Sequence, residues 1–226
     1  MNTSYQLSVD TGRLAIENGT ANPKWFRPDV DPHNIRNLMQ KSDAIAIRDT
    51  AIWLGMMIVS AGCAVALWPS VWSVPFWLVY GVLYGSAADS RWHECGHKTA
   101  FKTTWMNNAV YQLASFMIMR NPAIWQASHV RHHTDTIIVG RDPEIVAMRP
   151  PDLARIALAF VGVVDVYIAF KRMILHASGR IDPEEATYVA AKDHAKVFRV
   201  ARIWLFIYGC TIAAAVLMTS LLPLML

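Results

Sequence analysis

Long uncharged runs, set between polar segments broken by proline, lay out the plan of this chain. Thr50 to Leu67 reads TAIWLGMMIVSAGCAVAL and carries no charge. At 1.5 Å per residue such a helix reaches roughly 27 Å, enough to cross the hydrocarbon of a bilayer. Trp68-Pro69 and Val74-Pro75 break it, and Trp68, Trp72 and Trp77 mark an interface where amphipathic rings collect. A return span is expected from about Pro75 to Ala88, its helix continuing through Asp89 and Arg91 to His97. Trp105 to Met119 is apolar but too short to cross comfortably, and predicts an interfacial or partly embedded helix.

Residues 1–48 are polar, with breakers at Asn22-Pro23, Arg27-Pro28 and Asp31-Pro32, and read as a loosely ordered lead-in that turns helical near Asn34. Beyond the Pro150-Pro151 break, Asp152 can cap a helix over Leu153 to Leu175. Arg155 and Asp165 interrupt its apolar face, so a membrane-surface helix is preferred to a span. Asp182-Pro183-Glu184-Glu185 has a cap, a first-turn proline and acids at the positive end, all signs of a helix start. That helix leads to Ile203 to Leu226, a last apolar segment long enough to span. The expected fold class is therefore an all-α membrane protein: a transmembrane helical hairpin, interfacial helices and a further C-terminal span. Four parts follow: an N-terminal segment 1–48, the hairpin 49–97, an interfacial region 98–200 and the terminal span 201–226.

Composition agrees with a bilayer. A hydrophobic share of 54% over 226 residues departs from an ordinary soluble domain. The net charge of +4 is small for this length and its basic residues are spread through polar loops, which suits anionic headgroups and argues against nucleic acid. Cys63, Cys95 and Cys210 are an odd set, two of them in apolar segments, so no disulfide framework is expected. No secretory signal pattern opens the chain. The turn at 68–75 has no lysine or arginine, whereas residues 1–48 and 89–149 are rich in both, which predicts a multi-pass inner-membrane protein with those segments in the cytoplasm.

The chemistry lies in two histidine clusters on that side. Residues three and four apart share a helix face, so His93 converges with His97, and His129 with His132 and His133. Neutral imidazole suits iron, zinc, copper or nickel, and ligand type alone leaves the metal open. Five histidines exceed the three protein ligands usual for one catalytic zinc, so a site for two ions fits better. Glu94, Asp135 and Asp142 are candidate partners for ligand imidazoles, or else solvated surface acids. His33, His176 and His194 read first as loop or surface histidines. A rival lies in His93-Glu94-Cys95-Gly96-His97, which satisfies the His-Glu-x-x-His signature of a zinc membrane peptidase with Glu94 as general base. It leaves His129, His132 and His133 without a joint purpose. A non-enzymatic haem- or metal-binding membrane protein is the other alternative, although haem calls for isolated axial ligands rather than tight clusters.

The hairpin followed by His93-x-x-x-His97 and His129-x-x-His132-His133 resembles the integral-membrane fatty acid desaturase and hydroxylase family. The wording WHECGHKTAFK from Trp92 and SHVRHHTDT from Ser128, then VGRDPE from Val139, is similar to a bacterial subgroup that includes the hydrocarbon oxygenase of rhizobial rhizopine catabolism. The resemblance implies two iron ions in a non-haem di-iron centre held by those five histidines. It also implies an O2-dependent monooxygenase or desaturase acting on a hydrophobic or small methyl-ether substrate, with electrons from a partner such as ferredoxin and its reductase. The family pattern has a third histidine box, which these 226 residues do not supply. The expectation is a truncated chain that is catalytically incompetent alone, unless His176, His194 or another chain completes the ligand set.

Overall fold

The computed structural model describes residues 7–21, 26, 28–145 and 151–226. Among them the long apolar runs and both histidine clusters are helical, as periodicity and capping residues predict, and no strand occurs. The breakers at Asn22-Pro23, Arg27 and Pro150 lie outside the described residues. The chain forms two compact units, one of residues 1–29 and 123–202, the other of 30–122 and 203–226.

In the second unit, α2 (Pro32–Leu38) precedes the long α3 (Asp43–Ala66). α3 begins seven residues before Thr50, where hydropathy alone puts the start. Its first turns contain Asp43, Arg48 and Asp49, which a search for uncharged sequence leaves out. Asp43 sits at the positive end of the helix and also accepts from Thr103 N at 2.9 Å and Thr103 Oγ1 at 2.7 Å. α3 ends before the Trp68-Pro69 break, and the return helix α4 (Val74–Val82) opens with Pro75 in its first turn, where a missing N–H costs nothing. One wide turn, Leu83–Ala87, joins α4 to α5 (Ala88–Gly96), so Val71–Gly96 is one apolar helical run. Trp53 of α3 donates from Nε1 to the carbonyl of Leu83 in that turn at 2.9 Å. This bond ties the two arms of the hairpin together where the wide turn loosens the regular ladder.

The short helix α6 (Thr104–Met117) packs against α5. Phe116 at its end stacks on Tyr208 at 5.2 Å and meets Trp204 edge-on at 5.6 Å. Among the described residues three helical runs, Pro32–Ala66, Val71–Gly96 and Ala191–Leu217, are long and apolar enough to cross a membrane. Their outward residues are large and apolar, such as Ile58, Leu78 and Phe206. That is the surface expected of helices whose solvent is lipid.

The first unit contains α1 (Val9–Glu17), α7 (Pro122–Asp135) from Ala123 on, α8 (Leu153–Val161), α9 (Val163–Ala177) and the first turns of α10 (His194–Leu217). The last span, expected over Ile203 to Leu226, ends instead at Leu217, where Thr219 turns left-handed with φ +47°, and a separate terminal turn, α11 (Leu222–Met225), belongs with the second unit. Three further departures from the sequence-based expectations fall here. The lead-in holds α1, started by a capping box in which Ser8 and Thr11 bond each other's backbone. Threonine takes the place usually filled by glutamate or glutamine, so the signal is muted.

The helix expected over Leu153 to Leu175 starts as read, Asp152 accepting from Arg155 N at 3.0 Å, but breaks at Gly162. Gly162 is left-handed, with φ +70°, and the two pieces bend by 75°. Glycine adopts that conformation without steric cost, and it terminates α8 as a C-terminal cap.

Asp182 starts only a turn, accepting from Glu184 N at 2.9 Å, and the long helix begins at His194. Glu185 is drawn inward to His176, with Oε2 and Nε2 2.6 Å apart. A buried bond to a carboxylate outweighs the few tenths to 1 kcal/mol that acids at a helix start contribute.

Candidate metal centre

His93 lies in the last turn of α5 and His97 caps it, so both rings leave the same helix end, their centroids 4.8 Å apart. The helix stops there because Lys98 turns left-handed, with φ +58°. Lys98 N then bonds the Cys95 carbonyl at 3.0 Å and Thr99 N the Glu94 carbonyl at 3.1 Å. These are the two bonds of a Schellman motif, with lysine in the place that glycine usually takes. The loop that follows is fastened on three sides. Lys41 donates to the Lys98 carbonyl at 2.6 Å, Asp43 holds Thr103, and buried Asn107 both accepts from Phe101 N at 3.1 Å and donates to its carbonyl at 2.8 Å. Behind His93, buried Trp92 carries the Arg120 guanidinium over its ring at 4.6 Å, and Arg120 is paired with Asp89 at 3.0 Å. The first histidine pair therefore stands on a braced helix end.

The second cluster is built on α7. Trp125, His129 and His133 follow one another at four-residue steps and share a face. His129 is buried and stacks on Trp125 at 4.2 Å, which fixes the plane of its ring. Its Nδ1 donates to Glu144 Oε2 at 2.9 Å, while Glu144 Oε1 accepts from Ser128 Oγ at 2.8 Å. His132 Nδ1 donates to buried Asp142, 2.9 and 3.0 Å from its two oxygens. A neutral imidazole that donates from Nδ1 keeps its lone pair on Nε2, so both rings are set to ligate through Nε2. The His129 and His133 Nε2 atoms face each other at 3.1 Å. The converging nitrogens of His129 and His133, with a carboxylate behind the His129 ring and another behind the His132 ring, match the carboxylate–histidine arrangement of protein metal sites. The residues present fit a metal of the imidazole-binding class.

The carboxylates reach the rings through one tight turn. Asp142 also accepts from Ile137 N at 2.8 Å and from Glu144 N at 2.9 Å. Ile137 has φ +66° and Gly140 φ +85°. A β-branched residue in the left-handed region is costly, and the bonds to Asp142 offset that cost. Of the three acids expected as partners, Asp142 fills the role. Asp135 is buried instead between Arg131 Nε at 2.6 Å and Arg141 Nη2 at 2.8 Å, and Glu94 is exposed on α5. Glu144 was not anticipated. Its only signal in the sequence is its place in Asp142-Pro143-Glu144, the acidic turn that closes the box region.

The remaining histidines have local partners. His33 Nδ1 lies 3.2 Å from Asn37 Nδ2 on an exposed turn. His176 is buried on Glu185, and His194 Nε2 lies 3.3 Å from the Val189 carbonyl.

Apolar helices long enough to cross a membrane, with imidazole clusters at a helix end and along a short helix, define a membrane protein of the histidine-box class. Comparison with known sequences agrees: the family described as fatty acid desaturase matches residues 68–226, well over half of the chain. The chain belongs to the fatty acid desaturase family. It is 31% identical over 126 residues to the bifunctional fatty acid conjugase/Delta(12)-oleate desaturase of Punica granatum, an alignment covering 54% of this chain and 31% of that protein. Over 124 residues it is 27% identical to the omega-6 fatty acid desaturase, endoplasmic reticulum isozyme 1, of Glycine max, covering 54% and 31%. The Delta(12)-fatty-acid desaturase of Arabidopsis thaliana is 26% identical over 139 residues, covering 60% and 36%. These alignments span about a third of the length of the curated relatives. No solved structure matches.

Proposed function

We propose that His93, His97, His129, His132 and His133 ligate a non-haem di-iron centre in a membrane oxidoreductase that uses O2 to oxidise aliphatic C–H bonds. The observation that carries this reading is the second box: two Nε2 atoms 3.1 Å apart, with the far nitrogens of His129 and His132 turned onto Glu144 and Asp142. A purely structural histidine cluster needs no such pairing. Family membership and all-nitrogen donors distinguish the site from zinc peptidases and from the carboxylate-rich di-iron proteins of soluble bundles.

When bound, the irons supply the redox chemistry of O2 activation, with electrons drawn from an external donor. The chain's own residues do the positioning. Glu144 and Asp142 hold the ring protons on Nδ1 and raise the basicity of the ligating nitrogens. Trp125 sets the plane of His129, and the Schellman turn at Lys98 sets the exit of His97. The first box stands at the end of the apolar run Val71–Gly96, near the lipid in which an acyl or other hydrophobic substrate is dissolved. In this reading the N-terminus and residues 89–202 lie on the cytoplasmic side of an inner membrane, where a ferredoxin can reach the site. Efficient labelling of a cysteine placed near Gly179 from the opposite side would overturn that orientation.

The functional test is metal analysis of detergent-purified protein beside variants with each box changed to alanine. Iron lost with either box supports the centre. Stoichiometric zinc, with peptidase activity lost in Glu94→Gln, would replace it with the peptidase reading. Hydroxylation by a ferredoxin-fed enzyme, as in the bacterial subgroup of the rhizopine hydrocarbon oxygenase, is the narrower reading and rests on the wording around Trp92, Ser128 and Val139. Neighbouring reading frames for a ferredoxin and a reductase would support it, whereas lipid-synthesis genes would favour an acyl desaturase.

A further inference from the structure

The amino-terminal helix α1 makes an unusual contact. Most of its apolar side chains are exposed, Val9 at 70%, Leu14 at 50% and Ile16 at 45%, and its buried residue is Gly12. A Cβ at Gly12 would stand 2.6 Å from the Val139 carbonyl oxygen and 3.2 Å from the Val139 nitrogen. Both are backbone atoms, so no side-chain rotation could make room.

Val139 lies at the apex of the turn that carries the acidic partners of the second box. On one side, the Ile138 carbonyl accepts from Arg141 N at 3.0 Å and from Asp142 N at 2.9 Å. On the other, Ile137 N donates to Asp142. Arg141 is anchored to buried Asp135 at the end of α7. The turn is thus closed at its base by ion pairs and hydrogen bonds and covered at its apex by α1.

We propose that α1 is a clamp on the 136–145 turn and that Gly12 is a positioning residue: by seating the helix on Val139, it keeps Asp142 on His132 and Glu144 on His129. The proposal rests on the metal reading above only for its consequence, ligand positioning; the clamp itself concerns the turn. A glycine present merely by tolerance makes the opposite forecast. Alanine is the better helix former and would then slow exchange in α1 while leaving the turn untouched.

The test uses detergent-purified protein and two variants. Gly12→Ala introduces the clash, and Arg13→Pro breaks α1 without adding an atom at Val139. Arg13 pairs only along its own helix with Asp10 and Glu17 in the ion pairs described, so its loss disturbs nothing else. Gly55→Ala, at a helical glycine with open space around it, is the control. Hydrogen exchange by mass spectrometry reads the 136–145 turn, and titration with cobalt(II) reads ligand positioning. In both variants the turn is expected to exchange at least tenfold faster and cobalt(II) affinity to fall about tenfold, the lower end of what loss of an imidazole's carboxylate partner costs. Exchange in α3 and α6 should stay as in the parent and in the control. If Gly12→Ala loses protection everywhere, Arg13→Pro decides. Parent-like exchange in 136–145 with α1 broken overturns the clamp. If the parent itself binds no cobalt(II), the metal reading fails, and the exchange data still decide the clamp.

Discussion

Asp142→Asn is the sharpest single perturbation of the second box. The buried carboxylate accepts from His132 Nδ1, from Ile137 N at 2.8 Å and from Glu144 N at 2.9 Å, with Oδ2 serving Ile137 and Oδ1 serving Glu144. An asparagine of the same shape offers only one oxygen. Whichever way the amide is turned, its NH2 faces a backbone N–H, and one of those two donors, at a part-buried site, loses its partner. That costs about 1–3 kcal/mol. The bond from His132 also loses its charge assistance, which roughly halves its strength. Weakening the carboxylate partner of a ligating imidazole typically lowers metal affinity 10- to 100-fold, about 1.4–2.8 kcal/mol. Two measurements follow on detergent-purified protein: cobalt(II) or iron affinity by titration, and exchange of the Ile137 and Glu144 amides. Both should change together, while Asp193→Asn, at a local surface ion pair with Lys196, should leave metal affinity unaltered. Parent-like affinity in Asp142→Asn, with both amides still protected, would refute the assignment of Asp142 as the residue that orients His132.

Other substitutions test the surrounding frame. Lys98→Gly relieves a left-handed lysine at the end of α5 and should raise stability by about 1 kcal/mol without loss of iron, read by thermal unfolding in detergent; destabilisation would show that the lysine side chain itself holds the turn. Glu185→Ala removes the buried partner of His176 and should cost about 1–3 kcal/mol, the usual result of leaving a buried hydrogen-bonding group without its partner, whereas no measurable cost would mean that the turn at 182–189 is held by other contacts. Gly162→Ala places a Cβ at φ +70° with nothing near it, so the expected penalty is about 1 kcal/mol of backbone strain, and a straightened α8–α9 helix would appear as added helical signal in circular dichroism.

Much of this protein is legible along the chain. The spanning runs follow from hydropathy because each is long enough to satisfy its own backbone in lipid, a requirement that belongs to the segment and not to its neighbours. The placing of His93 with His97, and of His129 with His133, follows from helical periodicity, since side chains four apart meet wherever a helix forms. What lay beyond the sequence depends on chain reversals. Glu144 reaches His129 across fifteen residues, and Asp142 reaches His132 across ten, only because Ile137 and Gly140 adopt left-handed conformations. Local preference opposes that choice at isoleucine, and the bond from Ile137 N to the buried Asp142 carboxylate offsets it. The same holds at Asp182, whose helix-start signal is complete in the sequence yet yields a single turn because Glu185 is held inside by His176. Periodicity fixed which histidines share a face; tertiary contact decided which carboxylate holds each ring, because a buried charge is placed by its partners and not by its neighbours in sequence.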